Sequence, residues 1–121
     1  MSKTQNPKQY DLEDRTLAFA KRVRAFVKRI PRTIANIEDS KQLIKASGSV
    51  GANYLEANEA LSKKDFVMRI KICRKESKES QYWLKLIDTH EEMEQENERN
   101  VLIQEATELM KIFGGVLQKT N

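Results

Sequence analysis

The chain predicts an all-α protein, an up-down-up-down four-helix bundle. Three observations predict it. Apolar residues recur at alternating spacings of three and four in four separate stretches, the pattern of amphipathic helices. Breakers are few, with 2 Pro and 4 Gly in 121 residues, while 33% of residues are charged; that balance suits long polar helix faces and disfavours a turn-rich β fold. The connections between stretches are short, so successive helices pack antiparallel, and the length suits a single core.

Residues 1–10 read as a disordered polar tail, and the bundle spans 11–121. Asp11 is placed as N-cap of the first helix, with Asp14 in its first turn. The stripe Leu12, Thr16, Phe19, Val23, Phe26 and Ile30 then runs to Pro31, whose ring excludes a continued helix. The segment "PRTIANIEDS" (31–40) reads as a connection with an early helical turn around Ile34 and Ile37. The second stripe is Leu43, Ala46, Val50, Asn53 and Ala57, and it passes through "SGSVG" without losing register. Each glycine there costs about 1 kcal/mol relative to alanine in a helix interior. Close approach of a neighbouring helix offsets that cost, so Ser47, Gly48, Gly51 and Ala52 form a thin waist.

Ser62 is the N-cap of the third helix, with Asp65 three residues on. Its seam, Phe66, Ile70, Cys73, Ser77, Ser80, Leu84 and Ile87, alternates spacings of four and three like a coiled coil. The small residues in its middle are the expected partners of the thin waist. At about 26 residues this helix reaches ~39 Å. Residues 88–97, "DTHEEMEQEN", lose the apolar pattern and read as a loop or a frayed helix end. Leu102, Ala106, Leu109, Phe113 and Val116 mark the fourth helix, across Gly114 and Gly115.

Catalytic patterns are missing from this sequence. The lone histidine, His90, lies in the acidic stretch with no nucleophile motif to serve. It follows Ile87 at the offset where a di-iron bundle needs a glutamate. "SGSVGAN" lacks the lysine and the strand of a phosphate-binding loop. Cys73 sits on the seam as a small apolar residue; being a single cysteine, it excludes an internal disulfide and points to a reducing compartment. No metal or cofactor is expected. The polar N-terminus lacks the apolar run of a signal peptide, and nowhere do about 18 apolar residues run together. The expectation is a cytoplasmic, non-enzymatic protein off the membrane.

The surface carries the remaining signal. Net charge is +4 overall, but residues 61–87 hold 8 basic and 3 acidic residues while 88–105 hold 1 and 7. With Phe66, Cys73, Ser80 and Ile87 at heptad position d, Lys64, Lys71, Lys78 and Lys85 all fall at b and Lys75 at f. Arg15, Arg22 and Arg29 repeat the heptad spacing on the first helix. Cations seven residues apart lie about 10 Å apart along a helix, a spacing that can follow a phosphate backbone with salt-dependent affinity. The other reading is an ordinary solvated face, since b and f positions of any bundle favour lysine. Ile72, Trp83 and Leu86 widen the apolar arc of the third helix beyond its seam. They either face two neighbours within one bundle or form a subunit interface, where a Trp is a frequent anchor.

The stretch "LIKASGSVGANYLEANEALSKKDFVMRIKICRKESKESQYWLKLID" resembles the four-helix bundle family named for intervening sequences in bacterial 23S ribosomal RNA. That family is similar in turn to the accessory variability determinant proteins of diversity-generating retroelements. The resemblance rests on Ser49-Val50, Asn53 and Glu56 in the second helix and on Phe66, Ser77 and Glu79 in the third. It implies a ring-shaped homo-pentamer and, for the retroelement relatives, a basic surface that binds nucleic acid (RNA or DNA) and a reverse transcriptase partner. Lys45 and Glu56-Ala57 depart from the family's arginines and Glu-Gly pair. Ser49, Asn53, Glu56 and Glu79 are expected as a polar cluster that fixes the register of the second and third helices. Three functions follow as expectations: a nucleic-acid-binding accessory protein acting through the basic rows, a protein-interaction scaffold presenting the acidic 88–98 segment, and an enzyme around His90 and the nearby glutamates.

Overall fold

The computed structural model describes residues 7–120, with side-chain surroundings from Leu12 onward. Four helices follow in order: α1 Pro7–Val27, α2 Ile34–Asn58, α3 Lys63–Leu86 and α4 Met93–Thr120. Among the described residues there is no strand. Each helix packs on its chain neighbours, and α4 closes the ring against α1, which makes a four-helix bundle.

The helix boundaries follow local chemistry. The first helix opens at Pro7 rather than at Asp11, consistent with the preference of proline for a first helical turn, where no amide donor is needed. Of the tail expected over 1–10, positions 7–10 belong to α1, and residues 1–6 lie outside the described residues. Helix α1 ends at Val27, three residues short of Ile30, the end expected before Pro31, and Ile30 reaches the core from the turn that follows. The following connection is shorter than 31–40, because Thr33 caps α2: its hydroxyl accepts from the Asn36 amide at 3.1 Å. Ser62 caps α3 in the same way, accepting from the Asp65 amide at 3.1 Å.

The acidic stretch is not a loop over 88–97. Only Ile87–Glu92 connects α3 to α4, with His90 and Glu91 at φ 58° and 61° making the tight reversal. Glu94 and Glu96 then occupy the first turn of α4, where the positive end of the helix dipole favours carboxylates. Asn36, 2% exposed, ties this connection to the other one at the same end. Its amide donates to the carbonyls of Pro31 (2.9 Å) and Asp88 (2.8 Å), and its oxygen accepts from the Asp88 amide at 3.0 Å.

The core is the sum of the four stripes: Phe19, Val23 and Phe26; Leu43 and Val50; Ile70 and Leu84; Leu102, Leu109 and Phe113. Tyr54, rather than Asn53, takes the core position in the second stripe, with its ring 5.8 Å from Phe113. Helix α2 is unbroken through "SGSVG", but its waist serves a different neighbour from the one expected. A Cβ on Gly51 would lie 3.0 Å from Thr16 Oγ1 and 3.2 Å from its Cβ, and one on Gly48 would lie 3.5 Å from the Arg24 guanidinium. Both glycines therefore face α1. Helix α3 meets the opposite side, where the Cys73 thiol donates to the Val50 carbonyl at 3.4 Å. Ser77 and Ser80 are fully buried there, and each hydroxyl donates to its own helix's backbone, at Cys73 (2.8 Å) and Glu76 (2.9 Å).

Candidate nucleic-acid interface

The two cationic rows have different surroundings. On α1, Arg15 donates to both oxygens of Glu105 (2.7 and 3.0 Å) and to Glu108 (2.6 Å). Arg22 holds Glu98 with a two-point contact at 2.6 and 3.0 Å, and Arg29 reaches Glu94 at 2.8 Å. The three arginines thus run antiparallel to a row of glutamates on α4. The hydrogen bond that Arg15 donates to Glu105 is the largest cause that raises its guanidinium pKa above the ordinary value, and the bond that Arg22 donates to Glu98 does the same for Arg22. A groove of about 550 Å³ lies between α1 and α4, with Arg15, Arg22 and Glu105 on its walls.

On α3, by contrast, Lys64, Lys71, Lys75, Lys78 and Lys85 are all exposed, and among the described residues none of them enters a salt bridge. Lys71, Lys75 and Lys78 line an open depression of about 770 Å³ with Arg74, Glu79, Tyr82, Trp83 and, from α4, Met110. Lys63 and Lys64 line a second one with Lys71, Val67, Met68 and Thr120. Tyr82 and Trp83 stack edge to face, with ring centroids 5.0 Å apart. Arg74, Tyr82 and Met110 escaped the sequence reading. Tyr82 was legible in principle, because it stands seven residues after Lys75 on the same face.

Of the residues expected at a subunit interface, Trp83 packs partly against the core cluster, Ile72 is half-buried, and Leu86 is 47% exposed. The expected polar cluster divides. Asn53 donates to the Ser49 carbonyl and hydroxyl at 2.9 Å and accepts from Arg69 of α3 at 3.0 Å. That links α2 to α3 through an arginine the sequence did not single out. Glu56 and Glu79 are exposed, and neither hydrogen-bonds to this group among the described residues. Burial, with Glu79 nearby, raises the pKa of Glu76.

Of the groups with chemical potential, burial pushes the Cys73 thiol up to about 12, so it stays protonated near neutrality. His90 is exposed in the α3–α4 connection, its amide donating to Asp88 at 2.8 Å. Among the described residues no group of three His, Cys, Asp or Glu side chains could hold a metal ion. Among the described residues no helix is long and apolar enough to cross a membrane.

Four helices closed into a ring of neighbours, with an outward basic face on the third, define a four-helix bundle protein. The chain belongs to the family of 23S rRNA-intervening sequence proteins, whose family model matches residues 8–115. It is similar to the crystal structure of a protein of unknown function from the S23 ribosomal protein family of Bacteroides thetaiotaomicron, with 29% identity and a TM-score of 0.76. The match covers 92% of this chain and 98% of that one. No curated protein matches the chain.

Proposed function

We propose that this chain is a non-enzymatic accessory protein that binds nucleic acid through the outer face of α3. One observation carries the reading: Lys64, Lys71, Lys75, Lys78 and Lys85 stand exposed on one face, outside every salt bridge among the described residues. Cations left without internal partners are available to neutralise phosphates and release counterions. The arginines of α1 are not part of this face, because their charge is already met by α4. In the same reading the protein is cytoplasmic and assembles as a homo-oligomer, a pentamer by family resemblance. A reverse transcriptase is the protein partner the same resemblance suggests.

The test is fluorescence anisotropy of a structured RNA titrated with the protein at low and moderate salt. Affinity that falls with salt, and falls about a hundredfold further in Lys71→Glu/Lys78→Glu, supports the reading. No binding even at low salt overturns it and leaves a protein-interaction scaffold.

A further inference from the structure

Resting on the nucleic-acid reading, the geometry points to a narrower ligand: a single-stranded segment, one of whose unpaired bases stacks on Tyr82. The exposed stripe of α3 is Lys64, Met68, Lys71, Lys75, Lys78, Tyr82 and Lys85, spaced alternately by four and three residues. All seven are exposed, so they form one line along the helix. Tyr82, 57% exposed, interrupts the cations between Lys78 and Lys85, and Met68 interrupts them between Lys64 and Lys71. From Lys71 to Lys85 the line extends ~21 Å at the helical rise per residue.

Lysines alone do not select a single strand, because a duplex presents phosphates too, at higher charge density. An exposed aromatic within the line discriminates between them. In a duplex every base is already stacked and turns only its edge outward, whereas an unpaired base offers a free π face. Trp83 braces the Tyr82 ring edge-on, so little side-chain freedom is lost on stacking. Arg74, Glu79 and Met110 complete the lining of the open depression, which is large enough for a nucleobase. Its aromatic residues, Tyr82 and Trp83, suit the base, and its lysines, Lys71, Lys75 and Lys78, suit the backbone.

The experiment compares a short single-stranded oligoadenylate with a blunt RNA duplex of the same length, with inorganic polyphosphate as a charge-only probe. Anisotropy reports affinity, and emission from Trp83, the single Trp of the chain, reports a base arriving beside it. The single strand is expected to bind about tenfold more tightly than the duplex and to quench Trp83, whereas polyphosphate binds without quenching. Tyr82→Ala, outside the core, is expected to lose about tenfold for the single strand and nothing for the duplex, with Tyr82→Phe restoring the loss. Duplex binding as tight as single-strand binding, or a Tyr82→Ala variant that binds the single strand normally, overturns the stacking inference and leaves the basic-face reading intact. No binding to either RNA overturns both.

Discussion

The arginine row of α1 and the lysine row of α3 look alike on paper, since each is a heptad-spaced line of cations beside an apolar stripe. In the fold they differ completely. Arg15, Arg22 and Arg29 lie against Glu105, Glu98 and Glu94 and become part of the α1–α4 contact, while the α3 lysines are exposed and enter no salt bridge among the described residues. A line of charge is thus assigned its role by whatever the chain folds against it. Here the acidic 88–105 stretch reaches α1 because α4 closes the ring there. The strongest way to break the comparison is to exchange the rows' burdens. Lys71→Glu/Lys78→Glu is expected to weaken RNA binding about a hundredfold, whereas Arg22→Gln/Arg29→Gln leaves it within about twofold, both read by anisotropy at one salt concentration. Equal losses would mean that the two rows act as one surface.

The next largest effect concerns the seating of α1, which brings its arginines to α4. Thr16 is 2% exposed, and its hydroxyl donates to the Leu12 carbonyl at 2.8 Å. The side chain presses on Gly51 so closely that an added methyl would sit 3.0 Å from Oγ1, with Thr16 backbone 3.7 Å away. A short, rigid β-branched side chain cannot swing aside, so Gly51→Ala is expected to destabilise the bundle by about 1–3 kcal/mol, read by urea unfolding. Gly115, where an added Cβ meets nothing within 4 Å, is the control: Gly115→Ala is expected to stabilise by about 0.5–1 kcal/mol through helix propensity. The same substitution should therefore change sign between the two helices. If Gly51→Ala were also stabilising, α1 would not be held by close approach, and the ion pairs would have to seat it.

Much of this was legible from spacing. The four stripes, the Ser62 cap and the continuity of α2 through two glycines all follow from local periodicity and capping chemistry, which depend on neighbours in sequence. What periodicity could not supply was which helix faces which. Gly48 and Gly51 announced a close approach without saying whether α1 or α3 makes it, and the heptad spacing of Arg15, Arg22 and Arg29 carried no sign of the glutamates that meet them 65 to 93 residues on. The start of α4 was hidden for a related reason. Glu94, Glu96 and Glu98 look like a solvated loop until the dipole of α4, Arg99 and the arginines of α1 are there to receive them. The lysine face was legible as a row; its aromatic member, Tyr82, shares that heptad spacing, but spacing alone does not separate an exposed aromatic from one that packs inward.

The smallest effect lies within the arginine row itself, which should be graded. The Arg15 side chain is 27% exposed and bridges two carboxylates; the Arg29 and Glu94 side chains are 58% and 66% exposed and share one contact. Solvent and salt screen the second pair far more than the first. Arg15→Gln is therefore expected to cost about 1 kcal/mol, and Arg29→Gln nothing measurable. Acid sharpens the distinction. Hydrogen bonds from Gln104 and Arg15 lower the Glu108 pKa below its ordinary 4.5. A carboxylate lowered on folding adds stability that is fully present above its unfolded value and fades as pH falls through the folded one. Glu76 is raised, so its effect has the opposite sign: protonation below its folded pKa relieves a half-buried charge and offsets part of the loss. Unfolding followed from neutral pH to below 4 should then show stability falling in the parent protein and falling less in Arg15→Gln, with Arg29→Gln tracking the parent. Parallel curves for all three would mean that the arginine–glutamate row aligns α1 on α4 without stabilising it.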